Sequence, residues 1–251
     1  MTIGLFSRCR RAVAQLGSLA YGWTMAQLDP ANISHTDRRY LAAVLTLGEE
    51  GRAASQACVA RRLGRSAPTV SATVHRLLKA GLLRTDGRHL ALTRPGWQLA
   101  SASVKRLRLA EVFLADVVGL PWHMLRAQAV LLETAISAEV EERVDQVLGR
   151  PSVCPHGNAI PGAAPDASFV QPLSELGVGQ RAQLKRVTGL DDADEGTMVY
   201  LTGHGFVPGT DAVVAARGPD GAVVLEVCEG VVVIGRDLAE QLLVTPLGTV
   251  A

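Results

Sequence analysis

The chain has 251 residues, 48% of them hydrophobic, with 25 Lys and Arg against 24 Asp and Glu for a net charge of +1. That length holds one large or two to three small domains, and no stretch approaches the roughly 18 uninterrupted apolar residues that a membrane span needs. Split in two, the charge is far from neutral: residues 1–110 carry 17 basic against 5 acidic side chains (+12), and residues 111–251 carry 8 against 19 (−11). A polyanionic partner is therefore expected for the front half and not for the back.

Leu5, Cys9, Ala12, Leu16, Leu19 and Trp23 recur at helical spacing, so an amphipathic helix is expected within residues 1–33, weakened by Gly17 and Gly22. Two readings stand for it: a helix packed on the next domain or a partner subunit, or a basic helix lying at a membrane surface. Arg8, Arg10 and Arg11 interrupt any apolar run there, so no secretory signal is expected. The four cysteines (Cys9, Cys58, Cys154, Cys228) are scattered with no CxxC pair, which fits a reducing cytoplasm rather than a disulfide scaffold.

From Ser34 the pattern becomes more specific. Ser34 or Thr36 caps a helix carrying Tyr40, Leu41, Val44, Leu45 and Leu47. Ala57, Val59, Ala60 and Leu63 give a short second helix closed by Gly64. Ser66 then caps a third helix, with Pro68 in its first turn; Val70, Val74, Leu77 and Leu78 point inward and Gly81 ends it. Leu82–Arg84 and His89–Leu92 flank the turn Thr85–Arg88 as two extended runs. Helix, tight turn, helix and basic hairpin make a winged helix-turn-helix over residues 34–95.

Thr69, Ser71, Ala72 and His75 lie on the outer face of the third helix, small enough to enter a major groove about 12 Å wide. Arg61, Arg62, Arg65, Arg76, Lys79, Arg84 and Arg88 surround that face with candidate phosphate contacts. The expected DNA-contacting set is Arg65, Ser66, Pro68, Thr69, Ser71, Ala72, His75, Arg76 and Arg88. The competing reading is a protein-interaction module whose arginines are merely solvated.

Thr93 caps a long helix reaching about Val118, apolar on more than one face, and Gly119-Leu120-Pro121 turns the chain. Helices from Met124 to about Thr134 and from Ser137 follow, so residues 96–148 read as a helical dimerisation domain. A symmetric dimer places two recognition helices about 34 Å apart on a pseudo-palindrome. Residues 149–172, with five prolines, read as a linker. Short strands follow at Arg181–Val187, Thr197–Leu201, Ala212–Ala216, Ala222–Cys228 and Gly230–Ile234, with one helical turn at Asp237–Leu242 and a last strand at Leu243–Thr245. They suggest a small, partly open β-barrel over 173–251. The expected fold is mainly α with a small β domain. No Ser/His/Asp set, phosphate loop or HExxH is present, so no enzymatic activity is expected.

The runs SAPTVSATVHRLLKAGLL, LTRPGWQLA, KRLRLAEVFLADVVGL, ISAEVEERV and CPHGNAIPG resemble the diphtheria-toxin-repressor family of iron- or manganese-dependent bacterial repressors. The resemblance covers residues 36 to about 162 closely and extends more loosely into an SH3-like, FeoA-like barrel. It implies a homodimer that binds operator DNA when loaded with Fe²⁺ or Mn²⁺. The family's DNA-contacting positions match Ser66, Pro68 and Thr69, while Ala72 stands where a base-reading Gln is usual, so a different operator is implied.

The family's metal positions match Arg39, Leu107, Glu111, Arg126, Val130, Glu133 and Thr134 here, and only Glu111 and Glu133 are strong donors. The expectation is that these sites are degenerate, with Arg126–Glu111 and Arg39–Glu133 salt bridges in place of metals and no resident cofactor. Relocated ligands for Mn²⁺ or Fe²⁺ are the alternative. Cys154 and His156, two apart in the linker, are expected to be structural.

Overall fold

A computed structural model describes residues 33–164, 168–189 and 195–249. The amphipathic helix expected within residues 1–33 falls outside them, apart from Ile33.

The winged unit forms where the pattern placed it. Helix α1 (His35–Glu49) starts at Ser34, whose side chain accepts the Asp37 N–H at 3.1 Å, satisfying one of the free amides of the first turn. Helix α2 (Gln56–Leu63) is capped by Ser55, and Gly64 ends it in a left-handed conformation (φ 59°) that a β-carbon would strain. Helix α3 (Ala67–Lys79) buries Val70, Val74 and Leu77. Strands β1 (Leu83–Asp86) and β2 (His89–Leu92) pair antiparallel from Leu83↔Leu92 to Asp86↔His89, and β2 is held to the loop between α1 and α2 by the Leu90 N–H on the Ala54 carbonyl at 2.7 Å. Tyr40, Leu41, Val44, Leu47, Val59, Val70, Val74 and Leu77 share one core. Leu41 is fully buried there, so Leu41→Ala is expected to destabilise the winged unit by about 3 kcal/mol, read by thermal or urea unfolding; a loss under about 1 kcal/mol would mean the site collapses around the cavity.

Helix α4 (Arg94–Asp116) explains its own all-round apolarity. Ala100 joins the winged core, Ala110 and Leu114 join a second cluster with Leu125 and Ala129, and Leu109 and Val112 join a third with Cys154 and Ile160. Much of the surface expected to meet a second copy is thus used within the chain. Exposed apolar residues remain at Trp97 near the start of α4 and where it turns into helix α5 (Leu125–Glu133), at Val117, Val118, Met124 and Leu131. Gly96 lets α4 start hard against β1, because a β-carbon there would lie 1.9 Å from the Leu82 carbonyl oxygen. Helix α6 (Ala138–Val147) begins at Ser137 and is tied to α4 by Lys105 on Asp145 (2.9 Å) and Arg106 on Glu141 (3.3 Å).

The back domain is a six-stranded antiparallel sheet in the order β3-β8-β4-β5-β6-β7, with β3 Gln171–Pro172, β4 Gln180–Val187, β5 Asp211–Arg217, β6 Val223–Val227, β7 Gly230–Ile234 and β8 Leu242–Thr249. Its core includes Leu184, Val214, Leu225, Ile234 and Val244. One expected strand is corrected: Thr197–Leu201 lies inside helix α7 (Glu195–Gly203). Its β-branched, aromatic sequence reads as a strand, but Met198 and Leu201, three apart, are the buried residues while Val199 and Tyr200 face out. Helix α8 (Arg236–Gln241) leads into β8.

The linker is also corrected. Its first part is a packed loop, closed by a Val153↔Ala159 bridge with Cys154, His156, Asn158 and Ile160 all buried. Gly157 accounts for its path. It has φ 77°, and a β-carbon there would lie 1.8 Å from the Lys185 carbonyl oxygen, so glycine alone lets the loop lie on β4. The Val187 N–H then donates to His156 O at 2.9 Å, and Asn158 Nδ2 donates to Val187 O at 3.1 Å.

Candidate nucleic-acid interface and metal centre

The outer surface of α3 presents Ser66, Pro68, Thr69, Ser71, Ala72 and His75, all exposed, with Arg65 in the preceding turn and Arg88 at the tip of the hairpin. Ser66 starts the helix without a capping bond to the backbone, and its hydroxyl lies 2.8 Å from that of Thr69. Arg76 is half committed: it pairs with Asp37 of α1 while its side chain remains 60% exposed. Arg62 departs from the expected phosphate-contacting set. It is buried, three residues after Val59 on the same helix face, and bonds Glu50 and the Thr46 hydroxyl (2.9 Å).

Two adjacent acids at the end of α1, Glu49 and Glu50, join the winged unit to the rest of the chain. Glu49 takes the guanidinium of Arg108 from α4, and Arg108 also donates to the Ala159 carbonyl in the packed loop. Glu50 accepts from Arg62 and, at 3.1 Å, from the Gly189 N–H just beyond β4. From the barrel side, Arg186 Nε donates to Asn158 Oδ1 at 2.8 Å. The winged unit, α4, the loop and the barrel therefore meet in one charged junction.

Beside it lies a cluster whose members belong, in sequence, to the expected degenerate site (Glu111) and to the expected structural linker (Cys154 and His156). Glu111 of α4, Cys154 and His156 place a carboxylate oxygen, a thiol and a ring nitrogen within 4.8 Å of one another, all buried. His156 Nδ1 is 3.3 Å from Glu111 Oε2 but outside hydrogen-bond geometry, and neither ring nitrogen has a hydrogen-bond partner. The ring is held instead by Trp122, 4.8 Å away between centroids, whose Nε1 donates to Pro155 O at 3.0 Å. Arg126 of α5 closes the other side, with Nη1 3.1 Å from Glu111 Oε1.

Burial pushes the Glu111 carboxyl up, but the charge of His156, that of Arg126 and a hydrogen bond from Cys154 outweigh it and hold it at about 2. Burial and the neighbouring Glu111 push the Cys154 thiol well up. An ionised carboxylate, an imidazole with unsatisfied nitrogens and a thiol form an O, N, S donor set that fits a divalent transition ion. Nδ1 of the buried imidazole faces Glu111, but Nε2 has no partner among the described residues, and a buried polar atom left so calls for an explanation.

The second site matched by resemblance is different. Glu133 is buried and paired with His35 Nε2 at 3.0 Å and Arg106 Nε at 3.7 Å, whereas Arg39 makes no ion pair among the described residues. The expected Arg39–Glu133 bridge is absent because His35 and Arg106 take the carboxylate. The Thr134 hydroxyl is turned to the Leu131 carbonyl at 2.9 Å.

With this geometry in view, the relatives decide the family. Residues 33–90 match the model described as "Iron dependent repressor, N-terminal DNA binding domain", residues 93–162 the one described as "Iron dependent repressor, metal binding and dimerisation domain", and residues 171–246 the FeoA domain. The iron-dependent repressor IdeR of Mycobacterium leprae is 39% identical over 202 residues, 76% of this chain and 87% of that protein. This chain belongs to the iron-dependent repressor family.

The IdeR of Mycobacterium tuberculosis is 44% identical over 168 residues, 66% of this chain, and the match spans 65% of that relative's length. Among solved structures, a manganese-dependent transcriptional repressor in complex with manganese superposes with a TM-score of 0.75 at 29% identity, covering 84% of this chain and all of that one (100%). The manganese regulator SloR superposes at 0.70 with 26% identity, over 84% of this chain and 98% of its own. These findings overturn the expectation that the protein has no metal. Members of the iron-dependent repressor family that are named for iron or carry manganese stand beside it, and its own Glu111, Cys154 and His156 converge. Sequence spacing joins Cys154 and His156 in Cys-Pro-His-Gly-Asn but does not join Glu111 to them. No described helix is long and apolar enough to cross a membrane.

Proposed function

We propose that this chain is a homodimeric, sequence-specific transcriptional repressor, acting in the cytoplasm, whose operator binding answers to a divalent metal held by Glu111, Cys154 and His156. The observation that carries this reading is the buried O, N, S triad, whose imidazole nitrogens make no hydrogen bond, set against the junction that joins the winged unit to the barrel. Glu111, Cys154 and His156 would hold the ion, which would add positive charge beside a carboxylate already paired with Arg126 and would tie α4 to the loop. The chain's own residues carry the consequence outward. The loop is paired with β4 through Val187, with Arg186 through Asn158, and with the winged unit through Arg108 and Glu49. The exposed apolar residues Val117, Val118, Met124 and Leu131 at the α4–α5 corner are the surface for a second copy.

Thiolate and imidazole favour Fe²⁺ over the harder Mn²⁺. The test is fluorescence anisotropy of the purified protein on its own upstream DNA in excess chelator, then with Fe²⁺ under anaerobic conditions or Mn²⁺. The proposal expects metal-driven tightening, with half-saturation at lower Fe²⁺ than Mn²⁺; equal affinity with and without metal overturns it.

On the DNA side, Arg88 at the wing tip is expected to contact a phosphate. Arg88→Ala should weaken binding to all sequences alike and lower the slope of log affinity against log salt by about 1. An unchanged slope would remove the wing from the interface.

A further inference from the structure

Between the winged unit and the dimerisation helices lies a cavity of about 70 Å³ that the proposed metal response does not use. Its walls come from α1 and α2 on one side and from α4 and α5 on the other, and they carry three arginines, Arg39, Arg62 and Arg126. Glu133 is the only carboxylate among the lining residues.

The cations are not equally occupied. Arg62 is committed to Glu50 and Thr46, and Arg126 to Glu111. Glu133 already has His35 and Arg106. Every carboxylate at the rim is therefore matched, and Arg39, half-buried and without an ion pair among the described residues, is the surplus positive charge. Ser103, in the α4 wall and 5% exposed, holds its hydroxyl buried with no hydrogen-bond partner. The remaining walls are apolar, from Leu63, Val104, Leu107 and Val130. A cationic fork and an unsatisfied hydroxyl beside an apolar lining are complementary to an anionic head on a short hydrocarbon body.

We propose that this cavity binds a small organic carboxylate as an effector, its head taken by Arg39 and Ser103 and its body by Leu63, Val104, Leu107 and Val130. The ligand would touch both the winged unit and the dimerisation helices, so its binding fixes their relative placement and shifts operator affinity. A purely inorganic anion would leave the apolar wall unmatched, and a cation is disfavoured by the arginines.

The test uses the full chain in excess chelator at constant ionic strength. Propionate is the probe, the neutral isostere propionamide the control, and binding is read by calorimetry or by NMR shifts. The expected result is saturable propionate binding in the millimolar range, at least about tenfold weaker binding of propionamide, and a similar loss in Arg39→Gln with its melting temperature unchanged. Saturating propionate should also change the operator dissociation constant of the wild type but not of Arg39→Gln. Absence of saturable binding, equal binding of propionamide, or unaltered binding by a folded Arg39→Gln variant each overturns the proposal.

Discussion

His156→Ala is expected to lower the affinity for Fe²⁺ by roughly 100-fold or more and to remove the metal-driven gain in operator binding, while leaving the chelator-treated affinity unchanged. Loss of a group that merely supports a ligand costs about 10- to 100-fold in metal affinity, and removal of a donor costs at least as much. The ring is buried with neither nitrogen hydrogen-bonded, so the substitution forfeits no hydrogen bond, only the charge 3.3 Å from Glu111 Oε2. Its packing on Trp122 would be lost, so Cys154→Ser, which scarcely changes volume, is the companion variant and should show the same loss. Metal titrations followed by calorimetry, with operator anisotropy on the same samples, check both. If His156→Ala binds iron as the wild type does, the ligand assignment is wrong.

Gly157→Ala should be the most damaging single-methyl change in the loop. At φ 77° an alanine is strained, and its β-carbon would sit 1.8 Å from the backbone oxygen of Lys185, where nothing flexible can yield. The loop must lift from β4 and break the Val187–His156 backbone bond, at a cost of about 3 kcal/mol or more. The expected signs are a fall of several degrees in melting temperature, faster amide exchange at Val187, and weaker iron binding, because Cys154 and His156 lie on the displaced segment. A melting temperature within about 1 °C of the wild type would contradict this account of the loop.

These two residues also show where sequence reading stops. The recognition helix was legible because its punctuation is local: Ser66 and Pro68 open it, Gly64 ends the helix before it, and Val70, Val74 and Leu77 mark one face. The buried state of Arg62 was hidden in a row of arginines, although its spacing from buried Val59 carried the information. Helix α7 is not legible locally because Thr-Met-Val-Tyr-Leu has the side chains of a strand, and only the tertiary fold buries Met198 and Leu201 together.

The metal triad depends on tertiary structure in a stronger sense. Glu111 lies on α4, Cys154 and His156 lie in a proline-rich loop, and the fold brings them together only because Gly157 and Asn158 seat that loop on β4. Glu49 and Glu50 were equally easy to miss, although two adjacent acids in a strongly basic half of the chain were a signal that they are committed to internal arginines.

The most direct test of the central claim is optical. Cobalt(II) added anaerobically to the protein is expected to give a thiolate-to-metal charge-transfer band in the near ultraviolet at one equivalent, lost in Cys154→Ser and in His156→Ala. That result would place the metal on the triad. A wild-type protein that tightens on operator with metal yet shows no such band, or a band that survives in Cys154→Ser, would contradict the assignment and send the ligand search elsewhere in the chain.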